Sequence, residues 1–284
     1  MHGNRTEVGS QKSEDRKQEN PISVFCRLPS VLCLLSVLCL LSSVFSTKAQ
    51  SSPKPAYVWT KLQEGLSYAK IDLSLDERTG FMHAFRIDPE KYTLRILRAN
   101  RWKKEKESAS FFAKQSQALL AINGSFFSPE GKELGLLVEN GKITNPLHPT
   151  SWWSLFQLKK GVPSIVAPKD FSMSSDTKMA IQVGPRLVIH GEIPPLKEAL
   201  SKRSAIGITE TGAIIIAITE DILLTPRETA EMMRATRWGG GLECHDAMAL
   251  DGGSSSQLYA KIRNFVLDLP GVASVPNSLG VFPY

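Results

Sequence analysis

Cysteine is scarce in this chain and poorly placed to staple a fold. Of four in 284 residues, Cys26, Cys33 and Cys39 fall near the start and Cys244 stands alone in the remainder. No intramolecular disulfide is available to the long C-terminal part, so an ordinary apolar core must hold it. An excess of charge is lacking as well. Six of the 34 Lys/Arg and four of the 28 Asp/Glu precede Gln50, which leaves 28 basic against 24 acidic residues, a net +4. That balance does not point to nucleic acid, whereas an anionic small substrate or an anionic glycan stays compatible. His83, His148 and His190 are scattered without metal-ligand spacing, so the sequence gives a zinc site little support. There is no internal repeat.

A long hydrophobic run occurs once. Residues 1–27 are polar and mixed in charge, and from Leu28 to Thr47 no charged residue appears. Arg27 precedes the run and Thr47-Lys48-Ala49 follows it, a small-x-small site for cleavage after Ala49. Residues 28–49 therefore read as a signal peptide behind a polar leader (1–27). The alternative is a membrane anchor through residues 28–47, close to the ~20 residues that a span requires. A Pro/Ser linker covers 50–56, and 57–284 is long enough for one domain with its own core. On either reading the functional part is exported: secreted, periplasmic or membrane-anchored, facing outside the cytoplasm.

Strand-type segments dominate that domain: Gly80–Ile87, Tyr92–Leu97, Ala118–Ile122, Leu134–Val138, Trp152–Leu158, Ala180–Val183, Leu187–Ile189, Ser204–Ile208, Ala213–Ile218, Ala247–Leu250 and Gln257–Ile262. A helix is marked by Thr225-Pro226-Arg227-Glu228, with Thr as N-cap, Pro at the first helical position and Glu three residues after the cap. It is expected to run to about Arg237, ended by Gly239-Gly240-Gly241. A weaker helix covers Ser108 to Ser116. This pattern predicts an α+β class: a single domain with a mixed, largely antiparallel sheet and a few helices.

The chemistry concentrates where strands stop at glycines. Ala247-Met248-Ala249-Leu250 ends abruptly at Asp251-Gly252-Gly253-Ser254-Ser255-Ser256, an acid and several backbone N–H groups at a strand's carboxyl end. A hairpin turn accounts for Asp-Gly equally well. An earlier helix–strand unit ends alike, in Asn123-Gly124-Ser125-Phe126-Phe127. Were the two strands neighbours, both loops would face one cleft. Cys244-His245-Asp246 is not read as a catalytic set, because adjacent residues of an extended chain point in alternating directions.

Four segments stand in order: Asn123-Gly124-Ser125-Phe126-Phe127 with Gly135 to Lys142; Gln182-Val183-Gly184-Pro185-Arg186-Leu187 with Gly191; Arg203 to Ile208; and Leu250-Asp251-Gly252-Gly253-Ser254-Ser255. Together they resemble the phosphodiester glycosidase family over roughly Gly80 to the C-terminus. The resemblance implies hydrolysis of a sugar-1-phosphodiester of the cell envelope or an exopolysaccharide, releasing free sugar and a phosphomonoester. It implies Asp251 at the anomeric centre and Asn123 on sugar hydroxyls or water as catalytic residues. Substrate would be held by Gly124, by Phe126 or Phe127 against the ring, by Arg186 and Arg203 on phosphate, by Gly252, Gly253 and Ser254 as an anion nest, and by Ser255.

Each residue also has a plainer structural reading: a turn at Asn123-Gly124, core packing for Phe126-Phe127, surface charge for both arginines. The second carboxylate of ordinary glycosidases is not identified among Glu133, Glu210, Glu220 and Asp246. No cofactor is required, and an oxygen-ligated divalent cation beside Asp251 stays open. The chain departs from the family pattern at Ser125, where a third small residue such as glycine is common, and in carrying the additional serine of Ser254-Ser255-Ser256. Two other functions are compatible with the sequence: a non-catalytic glycan-binding or polysaccharide-assembly factor, and a metal-dependent phosphodiesterase that cleaves P–O.

Overall fold

Long alternating and β-branched segments fold into three antiparallel sheets. The computed structural model describes residues 55–284, so the expected leader, the signal or anchor segment and nearly all of the linker lie outside the described residues. The largest sheet has seven strands, in the order β1 (Thr60–Gln63), β2 (Leu66–Leu75), β3 (Arg78–Ile87), β13 (Ile214–Glu220), β12 (Ser204–Thr209), β14 (Cys244–Ala249) and β11 (Arg186–Val188). A second runs β7 (Lys142–Asn145), β6 (Leu137–Glu139), β10 (Thr177–Val183), β8 (Ser154–Lys159) and β9 (Val162–Val166). The third runs β16 (Phe265–Leu269), β15 (Leu258–Ile262), β5 (Leu120–Asn123), β17 (Asn277–Pro283) and β4 (Tyr92–Arg98).

The burial pattern explains the order. Strand β12 and the Ile214-Ile215-Ile216-Ala217-Ile218 run of β13 are buried on both faces, as a central strand must be. Strand β2 alternates buried Ala69, Ile71 and Leu73 with exposed Lys70 and Asp72, the mark of a strand with one solvated face. The inner faces of all three sheets share one core, with Phe85 and Ile216 from the first, Phe156 and Ile181 from the second, and Leu120, Leu258 and Leu279 from the third. The expected single sheet is thus three, and every pairing is antiparallel.

Two α-helices among the described residues cover outer faces. Helix α1 (Ala109–Ser116) is capped by the Ser108 hydroxyl, which accepts from Phe111 N at 3.1 Å, and it packs on the third sheet. Helix α2 (Pro226–Arg234) carries the full capping box, with Glu228 N donating to Thr225 Oγ1 at 3.1 Å and Thr225 N to Glu228 Oε2 at 2.7 Å. Such a cap contributes about 1 kcal/mol. The helix stops at Arg234, three residues before the glycines were expected to end it. Thr236 caps a separate 3₁₀ turn, Arg237–Gly239, and Gly241 folds back so closely on Ala235 that a Cβ there would collide with the Ala235 carbonyl.

Candidate active site at the end of strand β14

Strand β14 delivers Asp251 to the junction of two sheets. Leu250 N continues the ladder to Ser204 O at 2.8 Å, and Asp251 N then crosses to Gly124 O at 3.1 Å. Asn123, fully buried at the end of β5, ties the junction. Its Nδ2 donates to Asp251 O at 2.6 Å, while Oδ1 accepts from Ser204 Oγ at 2.8 Å and Gln257 N at 3.1 Å. Strands β5 and β14 are therefore not neighbours in a sheet; their loops meet end to end. Asn277 of β17 completes the junction by accepting from Ser125 N at 3.0 Å and donating to Ser125 Oγ at 2.9 Å. A Cβ on Gly124 would collide with Asn277 Oδ1, so this position requires glycine for space.

Beside the junction lies a cleft of about 480 Å³, lined among others by Phe126, Trp152, Pro185, Lys197, Arg203 and Gly252. Leu250 and Gly252, on either side of Asp251, both line it. Trp152 is 57% exposed, and its ring lies 6.1 Å from that of Phe126, giving the cleft an aromatic wall. Among the described residues the only charged side chains lining it are Lys197 and Arg203, both cationic. Arg203 is fixed by Nε to Leu224 O at 2.7 Å and by Nη2 to Ala199 O. Burial pushes the Asp251 carboxyl up to about 6, against hydrogen bonds from the Ser255 hydroxyl and the Gly252 N–H that pull it down.

The structure brings some expected residues together and separates others. Asp251, Gly252, Ser255, Asn123, Gly124, Phe126 and Arg203 lie in or against the cleft and its junction. Asn123 does so as a tie, with its amide committed to protein partners, so it is not placed to orient water or sugar hydroxyls. Phe127 turns into a satellite core with Trp102 and Phe111, and Lys106 Nζ stands 5.7 Å from its ring centroid. Arg186 does not line the cleft; its Nη2 is bound to Asp246 Oδ1 at 2.7 Å and Ile165 O at 3.0 Å. Gly253 N is consumed by Lys202 O at 2.9 Å, which reduces the expected anion nest, and Ser254 is exposed with its carbonyl accepting from Ala273 N.

None of the four candidate second carboxylates lines the cleft. Glu133 pairs with Arg98, Glu220 with His83 at 2.9 Å, Asp246 with Arg186, and Glu210 borders a different cavity. The Cys244 thiol is buried against Gly207 and Met233, where burial drives its ionisation far above the ordinary thiol range. His190 and His245, far apart in the chain, meet at Asp246. Trp152, Lys197, Ser204, Gln257 and Asn277 were missed by the sequence reading. Only Trp152-Trp153 offered a signal, as an aromatic pair beside a turn.

A profile of the phosphodiester glycosidase family matches residues 116–282. The uncharacterized protein YigE of Escherichia coli is 26% identical over 172 residues, covering 54% of this chain and 66% of its own length, so the match spans just under two thirds of that relative. Among solved structures, the catalytic domain of zebrafish N-acetylglucosamine-1-phosphodiester alpha-N-acetylglucosaminidase, auto-inhibited by its pro-peptide, superposes with a TM-score of 0.60 at 16% identity. It covers 81% of this chain and 84% of that domain. A hypothetical protein from Synechocystis gives 0.55 at 15% identity over 81% of this chain and 64% of its own. At such identities these two structures speak for the fold.

Proposed function

The chain belongs to the phosphodiester glycosidase family, and from that premise we propose that it hydrolyses a sugar-1-phosphodiester at the C–O bond, with Asp251 as the base that activates water. The observation that carries this reading is the charge inventory of the cleft. Among the described residues the charged side chains that line it are two cations, Lys197 and Arg203, and Asp251 stands between the lining residues Leu250 and Gly252. An ordinary glycoside needs a general acid to protonate its poor leaving group. A glycosyl phosphate leaves as a stable anion and needs its charge neutralised instead.

Water adds to the anomeric carbon and gives one proton to the Asp251 carboxylate. The bond from that carbon to the phosphate oxygen breaks, and the electron pair leaves with the phosphate toward Lys197 and Arg203. A base with a pKa near 6 is largely ionised at neutral pH yet stronger than an ordinary carboxylate, which suits proton abstraction. Phe126 and Trp152 offer apolar faces to the sugar ring. The uncharged segment at 28–47 supports action outside the cytoplasm, on a phosphodiester of the cell envelope or an exopolysaccharide.

The test is turnover of an N-acetylglucosamine-1-phosphate methyl diester in ¹⁸O-labelled water. The expected products are labelled free sugar and unlabelled methyl phosphate, with Asp251→Asn lowering kcat by about 10²–10³ while substrate still binds. Label in the phosphate would replace this reading with P–O cleavage. Sugar-phosphodiester binding without turnover would replace it with a glycan-binding role.

A further inference from the structure

Five residues before Asp251, strand β14 carries a second polar cluster in a part of the molecule that the proposed hydrolysis does not use. His190, His245 and Asp246 each present a ligand atom, and these atoms lie within 4.8 Å of one another. His245 Nδ1 is 2.9 Å from Asp246 Oδ2, and His190 Nδ1 is 3.5 Å from the same oxygen. These two separations bracket the ~3.3 Å edge of a tetrahedron whose bonds are about 2.0 Å long, the geometry of protein-bound zinc. Two imidazoles and one carboxylate oxygen suit a borderline transition ion better than Ca²⁺ or Mg²⁺.

The surroundings fix the donors. Asp246 Oδ1 is occupied by Arg186 Nη2 at 2.7 Å and by His190 N at 3.2 Å, while Oδ2 is hydrogen-bonded to His245 Nδ1 at 2.9 Å, a contact that a bound ion would replace. Gly191 N donates to His245 O at 2.8 Å and ties the turn carrying His190 to the strand carrying His245. Outer hydrogen bonds of this kind set the orientation of metal ligands. His190 is exposed, and His245 borders an open cavity of about 420 Å³, so an ion has a path in and water can complete its coordination.

From this geometry we infer that His190, His245 and Asp246 form a binding site for a divalent transition-metal ion of the zinc type, separate from the Asp251 cleft. Along an extended strand the two sites lie about 17 Å apart at ~3.4 Å per residue. The ion bridges the turn after β11 to β14, so its role is to clamp that edge of the large sheet. The nearby Arg186 charge opposes the cation, and micromolar affinity is expected.

The experiment uses untagged full-length protein, stripped of metal and titrated with Co²⁺ while ligand-field absorption in the visible is recorded. One ion per chain is expected, displaced by Zn²⁺, with at least tenfold weaker binding in His190→Ala and in His245→Ala and none of that loss in His148→Ala. Zn²⁺ is expected to raise Tm of the wild type but not of the double variant. Circular dichroism checks each variant's fold, and the exposed His190→Ala supplies the result if His245→Ala does not fold. Equal Co²⁺ affinity in the wild type and His190→Ala, or no binding at millimolar Co²⁺, overturns the inference. Neither outcome depends on whether a sugar phosphodiester is turned over.

Discussion

Asp246 lies within strand β14 and Asp251 just beyond its end; burial acts on both carboxyls, yet they respond in opposite directions. Burial pulls both upward. At Asp246 the hydrogen bonds from His245, Arg186 and the His190 N–H outweigh it, so the carboxyl sits below its ordinary value. At Asp251 only the Ser255 hydroxyl and the Gly252 N–H oppose burial, and the carboxyl is pushed up to about 6. Burial alone therefore does not tune a carboxylate; the partners supplied against it decide the sign. Asp246 holds a charge for structure, and Asp251 keeps a proton exchangeable near neutral pH.

The sharpest way to break this comparison is to remove the charge from each carboxyl. Asp246→Asn leaves Arg186 without its ionic partner in a half-buried site. Measured by urea unfolding with chelator present, it is expected to destabilise the fold by roughly 3 kcal/mol at pH 7. Asp251→Asn is expected to act in the other direction, raising stability at pH 7 by about 1–2 kcal/mol while lowering kcat by about 10²–10³. Between pH about 4 and 6 the folded protein holds a proton on Asp251 that the unfolded chain has released, so stability falls as pH rises through that window. The gain from Asp251→Asn is thus expected at pH 7 and absent at pH 4. The depressed Asp246 behaves inversely, with its contribution present above the ordinary carboxylate value and lost as pH falls through its folded one. If Asp251→Asn stabilises equally at both pH values, burial of a charge is not what sets Asp251 apart.

The pH profile of kcat/KM sharpens the same contrast with a smaller effect. As a base, Asp251 is expected to give a tenfold fall per unit below about pH 6 and a plateau above it. A fall above pH 6 instead would make Asp251 an acid. The smallest effect belongs to the cleft wall. Trp152→Ala is expected to change stability by less than about 0.5 kcal/mol and to raise KM several-fold with kcat kept, because the ring is exposed and carries no group that takes part in the proton transfer.

Much of the fold could be read where burial and local chemistry agree. The Thr225 capping box, the Ser108 cap and the β-branched run of β13 are short-range signals, and each lies where the sequence reading put it, within a few residues. Strand β2 was missed although its alternation from Ala69 to Leu75 was available, and so was β17, buried from Asn277 to Phe282 but disguised by the polar and turn-type Asn277, Ser278, Gly280 and Pro283. Strand β16 is a half-exposed edge, where burial leaves a weak pattern.

The site was legible as a place and less so as a set of roles. Asp251 and Asn123 announce themselves by the glycines that follow them. No local spacing could reveal that Asn123 spends its amide on three distant residues, or that Arg186 belongs with Asp246. Both facts are properties of strands that meet only in the folded sheets.

Strand β17 lies between β4 and β5, yet it follows both of them by a long interval of chain. Ser125 and Asn277, hydrogen-bonded across that gap, are 152 residues apart. During synthesis the ribosome delivers β4 and β5 early, and each must wait with an unpaired edge until β17 emerges. Closing contacts of such separation is slow. The Asp251 loop, tied to Gly124 and Asn123, inherits this timetable: a chain interrupted before Asn277 holds every residue that lines the cleft and still lacks the strand that completes their junction.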